Sequence, residues 1–131
     1  MQVYSEEDIA GLTDDELVAY MDRILTLQEN DRKEFALHYY KPANETVAKI
    51  HDLQVGTIGI FGGNGSGKTE HALVEGIIRC TGIIPDSLKA TYPMEKLRGP
   101  IHMRVVCESL TTVLEPIILP KLQYYQWSGQ Q

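Results

Sequence analysis

The sequence predicts an α/β fold: a parallel sheet with flanking helices and an incomplete core, preceded by an N-terminal helical segment. Three stretches carry that prediction. Thr57-Ile58-Gly59-Ile60-Phe61 is a short apolar run and reads as a buried strand. Glu70 to Arg79 has apolar residues over most of a helical circumference and reads as the helix that follows it. Ile101 to Cys107 (Ile-His-Met-Arg-Val-Val-Cys) reads as a second strand. A crossover joins the two strands, and that makes them parallel.

Between the first strand and the helix lies the most informative segment of the chain. Gly62, Gly63, Asn64, Gly65, Ser66, Gly67, Lys68 and Thr69 fit G-x-x-x-x-G-K-[ST], the phosphate-binding P-loop. The fold class is therefore of the P-loop NTPase type. The glycines at 62, 63, 65 and 67 admit positive φ without Cβ strain. A loop built that way turns successive backbone N–H groups inward as an anion nest. Lys68 is expected to reach the β- and γ-phosphates, and Thr69 to place its hydroxyl on Mg²⁺. The start of the helix would aim its positive dipole end at the same phosphates. All eight residues form the candidate nucleotide site, with ATP and Mg²⁺ as the expected cofactors. A glycine-rich turn with no ligand is the competing reading, and the strand and helix on either side count against it.

In the helix, Ala72, Leu73, Val74, Ile77 and Ile78 supply the apolar surface. His71, Glu75 and Arg79 form one polar stripe, with Glu75 and Arg79 in the favourable order for an ion pair of ~0.2–0.5 kcal/mol. Gly76 costs ~1 kcal/mol against alanine at mid-helix, which points to close packing. Gly82 suits the C-cap. His71 lies beside the loop; a solvated or capping role is expected ahead of contact with nucleotide or a neighbouring subunit.

Residues 1–41 read as an acidic helical segment, and residues 42–131 as the N-terminal portion of a P-loop ATPase domain. Thr13-Asp14-Asp15-Glu16 is a capping box. Leu17, Met21, Ile24 and Leu25 mark an apolar face, and Asn30-Asp31 is a candidate break. Lys41-Pro42-Ala43 is a turn, and Asn44 caps a short helix from Glu45 to Asp52. Gly82 to Pro100, with Pro85, Pro93 and Pro100, reads as a long surface connection. Leu110 to Tyr125 reads as helix, bent near Pro116 and Pro120.

Charge and composition narrow the function classes. The net charge is −6. Residues 1–34 hold ten acidic and three basic residues, or −7, which leaves +1 for the remainder. That pattern carries no strong nucleic-acid footprint. The acidic front suits either a basic partner or, preferably, a solvated helix face. There is no apolar run of transmembrane length and no signal-peptide pattern at Met1 to Asp8, so a soluble, cytoplasmic protein is expected. Cys80 and Cys107 read as buried free thiols. His38, His51, His71 and His102 are scattered and suggest no metal site.

A P-loop hydrolase also needs an apolar strand ending in acidic residues that order the metal and activate water. The nearest candidate is Val105-Val106-Cys107-Glu108, where a loop role for Glu108 is preferred over a metal role. Arg98 and Arg104 are the only arginines after the P-loop helix, and neither sits in a recognisable finger motif.

From about Pro42 to Trp127 the chain resembles the N-terminal part of the large subunit of tailed-phage terminases. The resemblance rests first on Ile50-His51 followed by Gly59-Ile60-Phe61-Gly62-Gly63-Asn64-Gly65-Ser66-Gly67-Lys68-Thr69-Glu70. Thr81-Gly82 and Pro85 follow in order. Arg104 to Leu110 and Ile117 to Leu122 then look like the family's next strand and helix. The resemblance implies a motor that couples ATP hydrolysis to packaging of viral double-stranded DNA, acting in the cytoplasm of a bacterial host. It also implies a portal, a small terminase subunit and a homo-oligomer of the full-length protein as partners, and no membrane. The sequence departs from the family in having Gly65 where many members carry a basic residue. The glutamine that often reads adenine has only Thr46 or Gln54 near its place. The second acidic motif and the family's endonuclease domain have no counterpart here. The chain thus reads as the front of an ATPase, binding ATP with little or no turnover.

Two alternatives stand beside that reading. One is a short P-loop nucleotide-binding or interaction module without efficient hydrolysis. The other is a different P-loop enzyme, a kinase or an ABC-like ATPase, in which Tyr39 or Tyr40 could stack on adenine.

Overall fold

The structure, a computed structural model, describes residues 4–63 and 67–125. Its helices are α1 (Glu6–Ala10), α2 (Asp14–Glu34), α3 (Glu45–Asp52), α4 (Lys68–Thr81) and α5 (Leu119–Tyr124), with a π-helical segment, Leu110–Ile118, leading into α5. The chain divides after Glu34 into two compact units.

The first unit is built by local capping. Ser5 accepts from the Asp8 N–H, and the Asp8 carboxylate accepts from the Ser5 N–H, so α1 starts in a capping box. The box expected at Thr13 is formed too: the Thr13 N–H donates to Glu16 at 2.9 Å and the Glu16 N–H to Thr13 Oγ1 at 3.4 Å. The break expected at Asn30-Asp31 does not occur, and α2 runs through it. Asn and Asp cost little at helical positions, and the basic Arg32 and Lys33 of the last turn complement the helix dipole. Tyr4 packs edge-on to Tyr20 at 4.9 Å.

In the second unit the core gathers around α4. Leu73, Val74, Ile77 and Ile78 are buried there with Ala36, Leu37, Tyr40 and the aromatic Tyr92 and Tyr125. The helix packs against α3 and α5. Asn44 caps α3 as expected, accepting from the Val47 N–H at 3.0 Å. Gly82 closes α4 in the left-handed region, φ 72°, donating to the Ile78 carbonyl at 2.8 Å. Gly76 admits the Met103 thioether: a Cβ there would lie 2.3 Å from Met103 Sδ. Close packing is the reason a mid-helix glycine is tolerated.

The expected parallel sheet is absent: no strand forms among the described residues. Neither Thr57–Phe61 nor Ile101–Cys107 is paired. Val55, Gly56, Ile58 and Ile60 line an open groove of about 470 Å³ together with residues 103–106, with Leu73 and Gly76 among the α4 residues in its lining. Strand character in a sequence becomes a strand only when a neighbour takes up its backbone hydrogen bonds. Neither short run has such a neighbour among the described residues, and a two-stranded sheet is marginal in any case. Phe61, expected inside a buried strand, is 97 % exposed.

Gly82 to Pro100 is more than a surface connection. Pro85, Leu88 and Tyr92 are buried in the core, and short 3₁₀ turns carry Asp86–Leu88 and Met94–Lys96. Leu110 to Tyr124 is helical, and the irregularity expected near its prolines takes the form of a π-helical stretch. The Leu114 N–H donates to the Ser109 carbonyl and the Leu119 N–H to that of Leu114. This wider winding encloses Pro116, which has no N–H to give to the ladder. No described helix is long and apolar enough to cross a membrane.

Candidate functional site

Two features of Gly67 and Lys68 set the geometry of the site. Gly67 sits at φ 80°, ψ 7°, in the left-handed region, and is the N-cap of α4. The sequence places glycine where a side chain would be strained. Among the described residues no side chain caps this end of α4, which leaves the first N–H groups of a 14-residue helix without a side-chain acceptor there. Lys68 folds back over that end. Its ammonium donates to the Gly62 carbonyl at 2.7 Å and to the Gly63 carbonyl at 3.1 Å. Thr69 is exposed on the first turn of the helix. Asn64, Gly65 and Ser66 lie outside the described residues. Gly62, Gly63, Gly67, Lys68 and Thr69 are thus brought together at the start of α4.

A cleft of about 450 Å³ adjoins Lys68. One wall is α3, through Asn44, Thr46, Val47 and Lys49, and the other is Ile58 to Phe61. Its lining is apolar apart from Asn44, Thr46 and two lysines, and it contains no carboxylate among the described residues. Thr46 is in the cleft, whereas Gln54 is exposed outside it. Lys49, which no motif in the sequence marks, lies one helical turn from Thr46, a spacing that puts both on one face.

The polar stripe expected on α4 is largely buried. His71 is 2 % exposed, and neither solvated nor facing the cleft. Its Nε2 accepts from the Ala43 N–H at 3.0 Å, and its Nδ1 meets the Gly67 carbonyl at 2.5 Å. Since Ala43 can only donate, Nε2 is the unprotonated nitrogen and Nδ1–H donates to Gly67. His71 is thus neither a solvated nor a capping residue: it is buried, and it bonds the Gly67 carbonyl and the Ala43 N–H rather than the free N–H groups of a helix end.

Glu75 is a buried node rather than one half of a surface pair. Its Oε1 accepts from Lys96 Nζ at 2.7 Å, Arg79 Nε at 2.9 Å and the Tyr92 hydroxyl at 3.1 Å. Its Oε2 accepts from His51 Nδ1 at 2.8 Å, and His51 Nε2 is hydrogen-bonded to the Tyr40 hydroxyl at 2.9 Å. Burial alone would raise the Glu75 pKa, but hydrogen bonds from His51, Lys96 and Arg79 outweigh it and hold the carboxyl at about 2. Burial, with Glu70 and Glu75 nearby, raises the Tyr40 hydroxyl well above its usual value. Lys96 also donates to the His51 carbonyl at 2.7 Å, tying the 3₁₀ turn Met94–Lys96 to the end of α3. This network has its partners in place and no route to solvent through His51, which is fully buried.

Tyr40 is buried edge-on against the His51, His71 and Tyr125 rings, so it cannot stack on a base; Tyr39 is 46 % exposed. Cys80 and Cys107 are free but half-buried rather than buried, and desolvation pushes the Cys80 thiol up. Glu108 and Arg104 are exposed and line no part of the cleft. No cluster of His, Cys, Asp and Glu among the described residues could hold a metal ion.

No protein-family model, curated protein sequence or solved structure matches the chain.

Proposed function

We propose that the chain binds Mg²⁺–ATP at Gly62 to Thr69, as the ATP-binding part of a phage terminase large subunit. Such a motor drives double-stranded DNA into a capsid in the bacterial host cytoplasm, with portal, small terminase subunit and further copies of itself as partners. One observation carries the nucleotide reading. A left-handed glycine starts a helix with no side-chain cap among the described residues, next to a lysine whose ammonium is held, among those residues, by the Gly62 and Gly63 carbonyls. Phosphate oxygens can replace those carbonyls as acceptors for Lys68, gaining charge-assisted hydrogen bonds. The adjoining cleft supports the same reading, because Lys49 and Lys68 make it basic and no described carboxylate repels a polyphosphate. The terminase assignment rests on the order of motifs in the sequence.

The lack of a carboxylate in the cleft lining also favours a second reading, a nucleotide-binding module without efficient hydrolysis. Both readings share the binding step. Saturating Mg²⁺–ATP at ~100 times its Kd stabilises the fold by about 2.7 kcal/mol. Chemical denaturation with ATP, ADP and GTP, with and without Mg²⁺, measures this. Lys68→Ala is expected to abolish the shift, and a shift that persists in that variant rejects the site.

A further inference from the structure

We propose that His71 is a positioning residue: a buried strut that joins the phosphate loop to the α3 wall of the cleft, so that the two sides of a bound nucleotide are gripped together. The inference rests on the nucleotide reading of Gly62 to Thr69 and adds a residue that the P-loop pattern does not contain. The geometry is specific. One ring nitrogen, Nδ1–H, donates to the carbonyl of Gly67, the left-handed hinge of the loop. The other, Nε2, accepts the N–H of Ala43, the residue just before Asn44. Asn44 caps α3 and lines the cleft.

The ring has little freedom. It lies flush against Gly67, where a Cβ would come within 2.9 Å of it. Tyr40 packs on it edge-on at 5.7 Å, and the His51 ring lies tilted at 6.4 Å. Each nitrogen has one partner, and each partner allows a single polarity, so only the neutral Nδ1–H tautomer satisfies both. A shift of the loop would therefore be transmitted to Ala43 and the start of α3. Triphosphate alone engages the loop. A nucleoside triphosphate spans loop and cleft, and it alone benefits from having both walls in register.

The test separates the two arms of the strut. In His71→Asn the side-chain amide sits where Nδ1 was and can still donate to Gly67, but nothing reaches Ala43. In His71→Gln the carbonyl oxygen reaches Ala43, while the donor to Gly67 is lost. Titration calorimetry compares Mg²⁺–ATP with Mg²⁺–tripolyphosphate on the full chain. His71→Asn is expected to weaken ATP by about five- to tenfold and leave tripolyphosphate within about twofold. His71→Gln is expected to weaken both. Equal factors for the two ligands in His71→Asn, or no change in either, overturn the strut while leaving the nucleotide site intact. If the unsubstituted protein binds neither ligand, the nucleotide reading itself fails and takes this inference with it. Should the variants not fold, ¹⁵N spectra of the unsubstituted protein decide. A His71 ring protonated at Nε2, or at both nitrogens, excludes the strut.

Discussion

His51 and Glu75 meet in the interior of the second unit at 2.8 Å, the imidazole fully buried and the carboxylate nearly so. This contact links α3 to α4, and Lys96 closes it from a third segment at 2.7 Å. Because each partner is desolvated, removing one strands the others. Glu75→Ala is therefore expected to cost about 3–5 kcal/mol, leaving the buried Lys96 and His51 without the carboxylate that balances the Lys96 charge. Arg79→Ala removes a partly exposed donor to the same carboxylate and is expected to cost no more than ~1 kcal/mol. Urea denaturation of the two variants distinguishes a buried node from an ordinary helix pair, for which the two losses would be alike.

The same node sets an acid limit. The Glu75 carboxyl is held at about 2 in the fold, below its ordinary value of 4.5. The folded state thus binds a proton less readily than the unfolded chain, and the ionised network stabilises the fold above about pH 4.5. That contribution, on the order of 3 kcal/mol, is lost as pH falls from about 4.5 toward 2. Denaturation midpoints measured across this window are expected to fall more steeply in the unsubstituted protein than in Glu75→Gln.

Gly67 and Gly82 both occupy the left-handed region, at φ 80° and 72°. They differ in surroundings: a Cβ at Gly82 meets nothing within 4 Å, whereas one at Gly67 meets the His71 ring. Gly82→Ala is expected to cost about 1–2 kcal/mol, the backbone penalty alone. Gly67→Ala is expected to cost more and to displace His71, which also weakens ATP binding. Equal melting temperatures for the two variants would contradict this.

Gly76 makes the opposite case. On an open helix face, Gly76→Ala should stabilise by ~1 kcal/mol through propensity. Here the new methyl collides with Met103 Sδ, so the gain is expected to shrink or reverse. On a Met103→Ala background the gain should return. A double-mutant cycle reads the coupling directly, and additivity of the two substitutions would show that the contact carries no energy.

ATP turnover by this chain is expected far below a kinase-like ~1 s⁻¹, because no described acidic residue lines the cleft beside Lys68. Steady-state phosphate release checks this. Turnover at that level would mean that a carboxylate outside the lining, Glu108 foremost, reaches the phosphates.

What could be read from the sequence follows the range of the interactions involved. The capping box at Thr13 and Glu16, the Asn44 cap, the Gly82 terminus and the course of α4 are each decided within about one helical turn. The P-loop pattern is local in the same sense, since a glycine at Gly67 and a lysine next to it need only the chain's own backbone to adopt their geometry. Thr57–Phe61 and Ile101–Cys107 have strand character, but a strand is completed by a neighbour, and among the described residues neither run is paired. The helical wheel marked His71, Glu75 and Arg79 as one polar stripe and could not show that Ala43, His51 and Lys96 would cover it. Lys96 reaches Glu75 from 21 positions along the chain. By itself the sequence determined the helices and the caps at Thr13, Asn44 and Gly82, because these close within a few residues. Only the tertiary structure decided which polar groups were buried together and which apolar runs stayed unpaired, because those outcomes depend on partners brought in from far along the chain.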